Sequence, residues 1–135
     1  MIVLAFDTET SGFGRRTEDG FQPPHLVQIA WQRHDWPLRL LQSQSNLVRP
    51  QCEAVWDCRA EKVHEISRLR AEKYGRDALT VLQEFQMLVR TSHVVVAHNA
   101  SFDIRIVDAI YHKLSGESFE WRDVFCTAKS TISLC

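Results

Sequence analysis

The sequence lacks the features that would place it among secreted, membrane or disulfide-rich proteins. It has four cysteines, Cys52, Cys58, Cys126 and Cys135, and their spacing fits neither a zinc knuckle nor a disulfide framework. No apolar run approaches the roughly 18 residues of a membrane helix, and no basic leader precedes the first apolar segment. We therefore expect free thiols in a reduced, cytoplasmic protein without a signal peptide or a membrane span.

An excess of charge of one sign is also lacking. Sixteen Lys and Arg residues nearly balance seventeen Asp and Glu residues, which leaves a formal net charge of −1. A polybasic surface for nucleic acid or membrane is therefore not visible in the composition, and any anion-binding site must be local. The 44% hydrophobic fraction excludes disorder, and 135 residues suffice for one core, so we expect a single domain over residues 1–135.

Three strand-like segments come first in the chain. Residues 1–7 are an apolar run rich in β-formers, and residues 25–33 and 38–48 follow as the second and third strands. Short connections between them predict an antiparallel meander. Residues 11–24 contain Gly, Arg and Pro, and this composition predicts a solvent-facing loop.

Helices and strands alternate in the rest of the chain. The predicted helices cover residues 59–66, 67–74, 78–90 and 102–115, with a further helix starting at residue 128. The predicted strands cover residues 93–98 and 122–127. Because helical crossovers join parallel neighbours, the order predicts an α/β fold: a mixed five-stranded sheet, three strands antiparallel and two parallel, flanked by helices.

Asp7 and Glu9 stand at the end of the first predicted strand. In an extended chain, residues two apart point to the same side, so these carboxylates project together. Adjacent carboxylates repel each other unless a cation lies between them, and oxygen ligands suit Mg²⁺ or Mn²⁺. The alternative is a solvated pair at a strand end, or a carboxylate that caps the following turn.

Asp103 adds a third carboxylate, in the first turn of the helix that follows the strand at residues 93–98. If that strand lies beside the first, Asp103 reaches the same sheet edge as Asp7 and Glu9. Three converging carboxylates require metal, and two ions are the expected number. Alternatively, Asp103 is a first-turn carboxylate that interacts favourably with the helix dipole, which is worth about 0.3–1 kcal/mol. This alternative explains Asp103 alone but not the presence of all three carboxylates.

Three segments carry a resemblance to a known family. Residues 6–12 (FDTETSG) resemble the first motif of the DEDD 3′→5′ exonucleases, in the DEDDh-type branch that contains the epsilon-like proofreading subunits of bacterial replicative polymerases. Residues 96–103 (VAHNASFD) resemble the second motif. Residues 60–67 (AEKVHEIS) resemble the family's Val-His-Gly-Ile segment, with Glu65 in place of the usual glycine. The similarity runs from Met1 to the strand end at Cys126 and Thr127.

The resemblance implies a ribonuclease H-like fold and a two-metal hydrolysis of phosphodiester bonds from the 3′ end of single-stranded DNA, with RNA as a further possible substrate and replication or repair as the setting. Asp7 would bridge two Mg²⁺ or Mn²⁺ ions, Glu9 would hold the ion that activates water, and Asp103 would hold the other. The substrate-binding residues that it implies are Thr8, Thr10, His64, Ile66, Asn99 and Phe102, the first two through backbone groups.

The chain departs from the family at the third motif, in which a general-base His or Tyr precedes a fourth Asp on a late helix. His98 and Asp103 have the required four intervening residues, but they straddle a strand-to-helix join and belong to the second motif. Asp108 and His112 come in the reverse order and are expected to form a surface pair. We therefore expect the 135 residues to form a domain without its C-terminal helices. We also expect this chain to be weakly active or inactive as a nuclease.

Two other classes of protein remain open. A non-enzymatic relative would keep the fold and bind nucleic-acid ends, a polymerase or a second copy of itself; a Mn²⁺-dependent assay on labelled single strands separates it from an enzyme. A phosphatase would use Asp7 as a nucleophile, but it requires Asp where Glu9 stands and leaves residues 99–103 unexplained. Solvated surface charge is the default for the remaining cations, among which the candidates for phosphate contact are Arg15, Arg16, Arg68, Arg70 and Lys73.

Overall fold

The computed structural model describes residues 1–51 and 55–128. The strands are β1 (Ile2–Thr10), β2 (Arg15–Thr17), β3 (Gly20–Gln22), β4 (Leu26–Asp35), β5 (Arg39–Leu47), β6 (Val94–Ala97) and β7 (Asp123–Cys126). The helices are α1 (Cys58–His64), α2 (Arg68–Tyr74), α3 (Ala78–Arg90) and α4 (Ala100–Ser115).

Five strands form one mixed sheet in the order β5-β4-β1-β6-β7. The pairs β1–β4 and β4–β5 are antiparallel, whereas β1–β6 and β6–β7 are parallel. The predicted sheet, with three antiparallel strands extended by two parallel ones, is therefore confirmed. Its central strand is β1, which carries two of the three candidate carboxylates.

The core lies between the sheet and the long helices α3 and α4. Val81, Leu82, Phe85 and Val89 recur at helical spacing along α3, and all four are 0% exposed. The Phe85 ring packs against the ring of Phe6 on β1, with centroids 4.9 Å apart. This packing fixes the helical layer against β1, so the end of that strand is held in one place.

Polar caps define the starts of α2 and α3. The Asp77 carboxylate accepts a hydrogen bond from Thr80 N at 3.0 Å, and the Ser67 hydroxyl accepts one from Arg70 N at 3.1 Å. Gly116 ends α4 in the left-handed conformation, at φ 75°. The predicted helix at residues 59–66 is shorter than expected, because Glu65 takes the left-handed conformation and ends α1.

The structure corrects the prediction of a loop over residues 11–24. That segment contains the two-stranded hairpin of β2 and β3, joined by the two residues Glu18 and Asp19. Gly20 follows the turn at φ 117°, a conformation that favours glycine, and this local turn chemistry explains the hairpin. The first strand also continues three residues past Asp7, to Thr10.

Two further expectations change. Helix α4 begins at Ala100 rather than at residue 102, because Asn99 makes the turn out of β6. Asp108 does not pair with His112: its carboxylate accepts a half-buried hydrogen bond from Trp121 Nε1 at 2.7 Å, a tertiary contact between residues 13 apart in the sequence.

Among the described residues, Cys58 and Cys126 form no disulfide bond. Cys52, Cys135 and the helix predicted from residue 128 onward, apart from Ala128 itself, lie outside the described residues. Within the described residues, none of the helices has the length and apolar character that crossing a membrane requires.

Candidate active site

The carboxyl ends of β1 and β6 meet at one edge of the sheet. β1 pairs with β6 only as far as Ala5, which lies opposite Val96. Beyond that point β1 continues to Thr10, whereas the segment that follows β6 turns through residues 98 and 99 into α4. The end of β1 is therefore adjacent to the first turn of α4, as the sequence predicts.

The three candidate carboxylates differ in burial. Asp7 is exposed and Glu9 is half-buried, and as residues two apart in β1 they share one face of the strand. Asp103 is only 3% exposed, because it lies on the inner side of α4. The site thus combines two carboxylates open to solvent with one that is held inside.

Thr8 fixes the position of Asp103. Its side chain alternates with those of Asp7 and Glu9 and therefore points toward the helical layer, where its hydroxyl donates to Asp103 Oδ1 at 2.5 Å. The family resemblance implies a role only for the backbone of Thr8. The alternation of side chains along β1 is the signal that could have identified its hydroxyl.

The pKa of Asp103 is raised from 3.8 to about 6. Burial is the main cause, and the negative charges of Asp7 and Glu9 add to it, whereas the Thr8 hydroxyl opposes it. The pKa of Glu9 is raised as well, first by burial and then by Asp7, and a positive charge on His64 opposes this shift. The three carboxylates therefore lie close enough to destabilise one another's charge.

This donor set fits a divalent cation by its chemistry. In the described part of the chain, none of the three carboxylates forms an ion pair with Lys or Arg, so no such cation offsets their mutual repulsion. Hard cations such as Mg²⁺ prefer carboxylate oxygens. Among the same residues, no group of three or more His, Cys, Asp or Glu side chains is already arranged around a metal position.

His64 lies beside Glu9 at the end of α1. Its Nδ1 accepts a hydrogen bond from Ile66 N at 2.9 Å, which places the proton of the neutral ring on Nε2. Nε2 is buried without a hydrogen-bond partner among the described residues, and the ring meets Trp56 edge-on at 6.2 Å. Ile66 is 6% exposed and packs with Val27 and Ala71 in a second apolar cluster.

The remaining predicted substrate residues surround the carboxylates. Thr10 is buried, and its hydroxyl donates a hydrogen bond to Gly12 O at 2.6 Å. Asn99 is exposed in the left-handed conformation, and its side chain makes no capping hydrogen bond. Phe102 is half-buried against the core, one residue before Asp103.

His98 lies in the turn between β6 and α4, and its Nδ1 is 2.8 Å from Thr127 Oγ1 beyond β7. Because β6 ends at Ala97 and α4 begins at Ala100, His98 and Asp103 do not share a helix. The structure thus agrees with their exclusion as a third motif.

Comparisons with known proteins were made for sequence and for fold. The family model RNase_T, described as Exonuclease, matches residues 4–133. No curated protein matches the sequence. Solved structures of exonuclease I match with a probability of 1.00, at 14% to 15% identity.

Three of these structures illustrate the extent of the match. The ExoI/SSB-Ct complex has a TM-score of 0.77, covering 93% of this chain and 28% of that chain. The exonuclease I structure used to suggest how processivity is achieved has a TM-score of 0.78, covering 98% and 30%. E. coli exonuclease I in complex with a dA16 oligonucleotide has a TM-score of 0.75, covering 93% and 27%. At this identity the likeness shows a shared ribonuclease H-like exonuclease fold, and the chain spans less than a third of those proteins.

Proposed function

Because the chain belongs to the exonuclease family that the RNase_T model describes, a family of the DEDD superfamily, we propose that it is a metal-dependent 3′→5′ exonuclease acting on single-stranded DNA. The observation that carries the proposal is the convergence of Asp7, Glu9 and Asp103 at the end of β1, where Asp7 raises the pKa of Glu9 and both raise the pKa of Asp103. An arrangement of this kind is costly for stability alone and is typical of a cation-binding site.

Asp7, Glu9 and Asp103 are the residues that would hold two Mg²⁺ or Mn²⁺ ions. When bound, such ions lower the pKa of a water nucleophile and stabilise the attacking and leaving oxygens of a phosphodiester. The protein's own contribution is orientation: the Thr8 hydroxyl fixes Asp103, and the packing of Phe6 on Phe85 fixes the strand that carries Asp7 and Glu9.

Four side chains around the carboxylates are proposed to receive the terminal nucleotide. Asn99 offers an exposed amide that no cap occupies, and Phe102 offers a ring at the first turn of α4. His64 offers an unpartnered Nε2–H beside Glu9, and the buried Ile66 holds that ring through its backbone N–H. Backbone groups of Thr8 and Thr10 complete the proposed subsite.

The substrate class and the biological role extend the same proposal. Single-stranded DNA is supported by the structures of E. coli exonuclease I in complex with oligonucleotides, to which this fold is similar. The motif at residues 60–67 favours a proofreading-type enzyme that works with a polymerase in replication or repair. We place it in the cytoplasm, because the spacing of its four cysteines is not that of a disulfide framework.

A second candidate is a catalytically incomplete relative that binds nucleic-acid ends without turnover. The observation in its favour is that the described residues contain no arranged metal-ligand group and that His98 is turned toward Thr127. Such a protein would bind single strands, with a polymerase or a second copy as its partner.

One assay separates the two candidates. A 5′-labelled single strand is incubated with the purified chain and Mn²⁺, with the Asp7→Ala variant as the control. An exonuclease of the proposed polarity gives a ladder of products that shorten stepwise from the 3′ end, and the variant gives none. Binding without any ladder supports the incomplete relative, and a ladder from 3′-labelled substrate that retains its label would refute the polarity.

A further inference from the structure

One side of α2 presents cationic and apolar side chains to solvent. Leu69 and Tyr74 are 74% and 63% exposed, and Arg70 and Lys73 are exposed as well. At 3.6 residues per turn, these four residues fall within an arc of about 140°. We call them the α2 face.

The acidic neighbour of these cations lies outside the arc. Glu72 pairs with Arg68 at 2.9 Å, on the flank of the helix. Among the described residues, neither Arg70 nor Lys73 forms an ion pair. The Lys73 ammonium instead lies 5.2 Å from the centroid of the Tyr74 ring. The α2 face is therefore a local positive surface on a protein whose net charge is −1.

The opposite side of α2 packs close to the carboxylates. The buried Ala71 belongs to the cluster of Val27 and Ile66. Val27 precedes Gln28, which lies opposite Glu9 in the β1–β4 register, and follows Leu26, which lies opposite Thr10. The helix therefore sits at the level of Glu9 and Thr10.

A second tie links the preceding helix to the same place. The backbone N–H of Asp57, the N-cap of α1, donates to Ser11 O at 2.7 Å, directly after the end of β1. Helices α1 and α2 are thus anchored beside the candidate active site at both the start of α1 and the middle of α2.

We propose that the α2 face binds the backbone of a single-stranded nucleic acid a few nucleotides upstream of the 3′ end. Arg70 and Lys73 would contact phosphates, and the Tyr74 ring would stack on a base. The inference rests on the proposed function, which supplies the position of the 3′ end. It accounts for how a protein without bulk positive charge retains a polyanion.

The test measures binding separately from turnover. Fluorescence anisotropy in EDTA measures the affinity of the protein for a 5′-fluorescein oligothymidylate at several salt concentrations. Two substrates are used, a long strand and a trinucleotide. The variant Arg70→Ala/Lys73→Ala is compared with Arg39→Ala/Lys113→Ala, which removes the same charge from β5 and from the end of α4. At about 0.7 per phosphate contact, the first variant should lower the slope of log affinity against log salt by about 1.4.

Further results are expected from the other variants and from the short strand. The control variant binds the long strand as the parent does, and the trinucleotide does not distinguish the variants. Arg70→Lys/Lys73→Arg keeps both positive charges and should bind the long strand as the parent does. Tyr74→Ala weakens binding of the long strand by at least about fivefold, whereas Tyr74→Phe does not.

The outcomes separate this inference from the proposed function. Parent affinity and parent salt slope in Arg70→Ala/Lys73→Ala, or an equal loss in the control, overturn the α2 face even if Mn²⁺-dependent shortening occurs. Failure of the parent to bind the long strand overturns it too. Binding through the α2 face without any shortening refutes the exonuclease and leaves the surface assigned.

Discussion

Asp103 combines burial with a negative charge, and this combination has a cost for the metal-free protein. Its pKa of about 6 lies above the ordinary 3.8, so between these values the folded state holds more protons than the unfolded state. The free energy of unfolding therefore falls as the pH rises from about 4 to about 6 and stays lower above that range. The Thr8 hydroxyl offsets only part of this cost.

We predict that Asp103→Asn stabilises the metal-free protein above pH 6. The amide oxygen still accepts the Thr8 hydrogen bond, but no buried charge remains, so the gain should be about 1–3 kcal/mol at pH 7 and vanish below about pH 4. Thermal unfolding in EDTA across this pH range measures it. Asp123→Asn, at an exposed position on β7, is the control. Identical pH profiles for parent and Asp103→Asn would show that the buried charge is not destabilising.

Replacing either Asp7 or Asp103 by asparagine should remove metal binding. We predict that Asp7→Asn and Asp103→Asn each lose measurable affinity for Mn²⁺ while keeping the fold, because each removes a ligand and relieves repulsion among the carboxylates. Titration calorimetry with Mn²⁺, alongside circular dichroism, provides the measurement. Unchanged affinity in both variants would rule out the metal site.

At the scale of the element, the junction of α1 and α2 explains a departure from the family pattern. Glu65 has φ 59° and ψ 24°, the left-handed conformation, and its N–H closes α1 on Glu61 O at 2.7 Å. A residue with a Cβ is strained there and glycine is not, which is a physical reason to expect glycine at this position.

We predict that Glu65→Gly raises the free energy of unfolding by about 0.5–1 kcal/mol, since relief of strain exceeds the added flexibility of the unfolded chain. Urea denaturation, with an unchanged dependence on denaturant, measures the gain. Glu65→Ala removes the carboxylate but keeps the Cβ, so it should give no comparable gain. If both variants stabilise equally, the charge of Glu65 and not its backbone is responsible.

Strand order and carboxylate placement could be predicted because each follows from local pattern and from the crossover rule. The β1 run, the helical spacing of apolar residues and the residues of the second motif each carry a short-range signal. The partner of Asp108 could not be predicted, since Trp121 reaches it only through tertiary packing. The hairpin at residues 15–22 was missed because its turn signal, Glu18-Asp19-Gly20, stood within a segment of loop-like composition.

At the scale of the whole molecule, charge and chemistry are concentrated at one end of the sheet. The carboxylates, His64 and the α2 face all lie around the end of β1, while the core of α3 and α4 supports them from one side. The net charge of −1 conceals this local arrangement. A net charge near zero therefore does not exclude a local surface that binds nucleic acid.

The last prediction concerns the rate of turnover by residues 1–135. Under the proposed function these residues would supply three of the four carboxylates of the DEDD pattern, and their described part has no histidine placed one helical turn before a fourth. Positioned proton transfer is typically worth about 10² to 10⁴ in rate, so its absence should leave only slow turnover. We therefore expect the purified chain with Mn²⁺ to shorten a labelled single strand slowly, so that the ladder appears only after long incubation. Fast shortening that Asp7→Ala abolishes, which excludes a contaminating nuclease, would contradict this expectation. His98 and His112 would then be the first residues to test as the base, because both are exposed and the fold places His98 at the same sheet edge as Asp7.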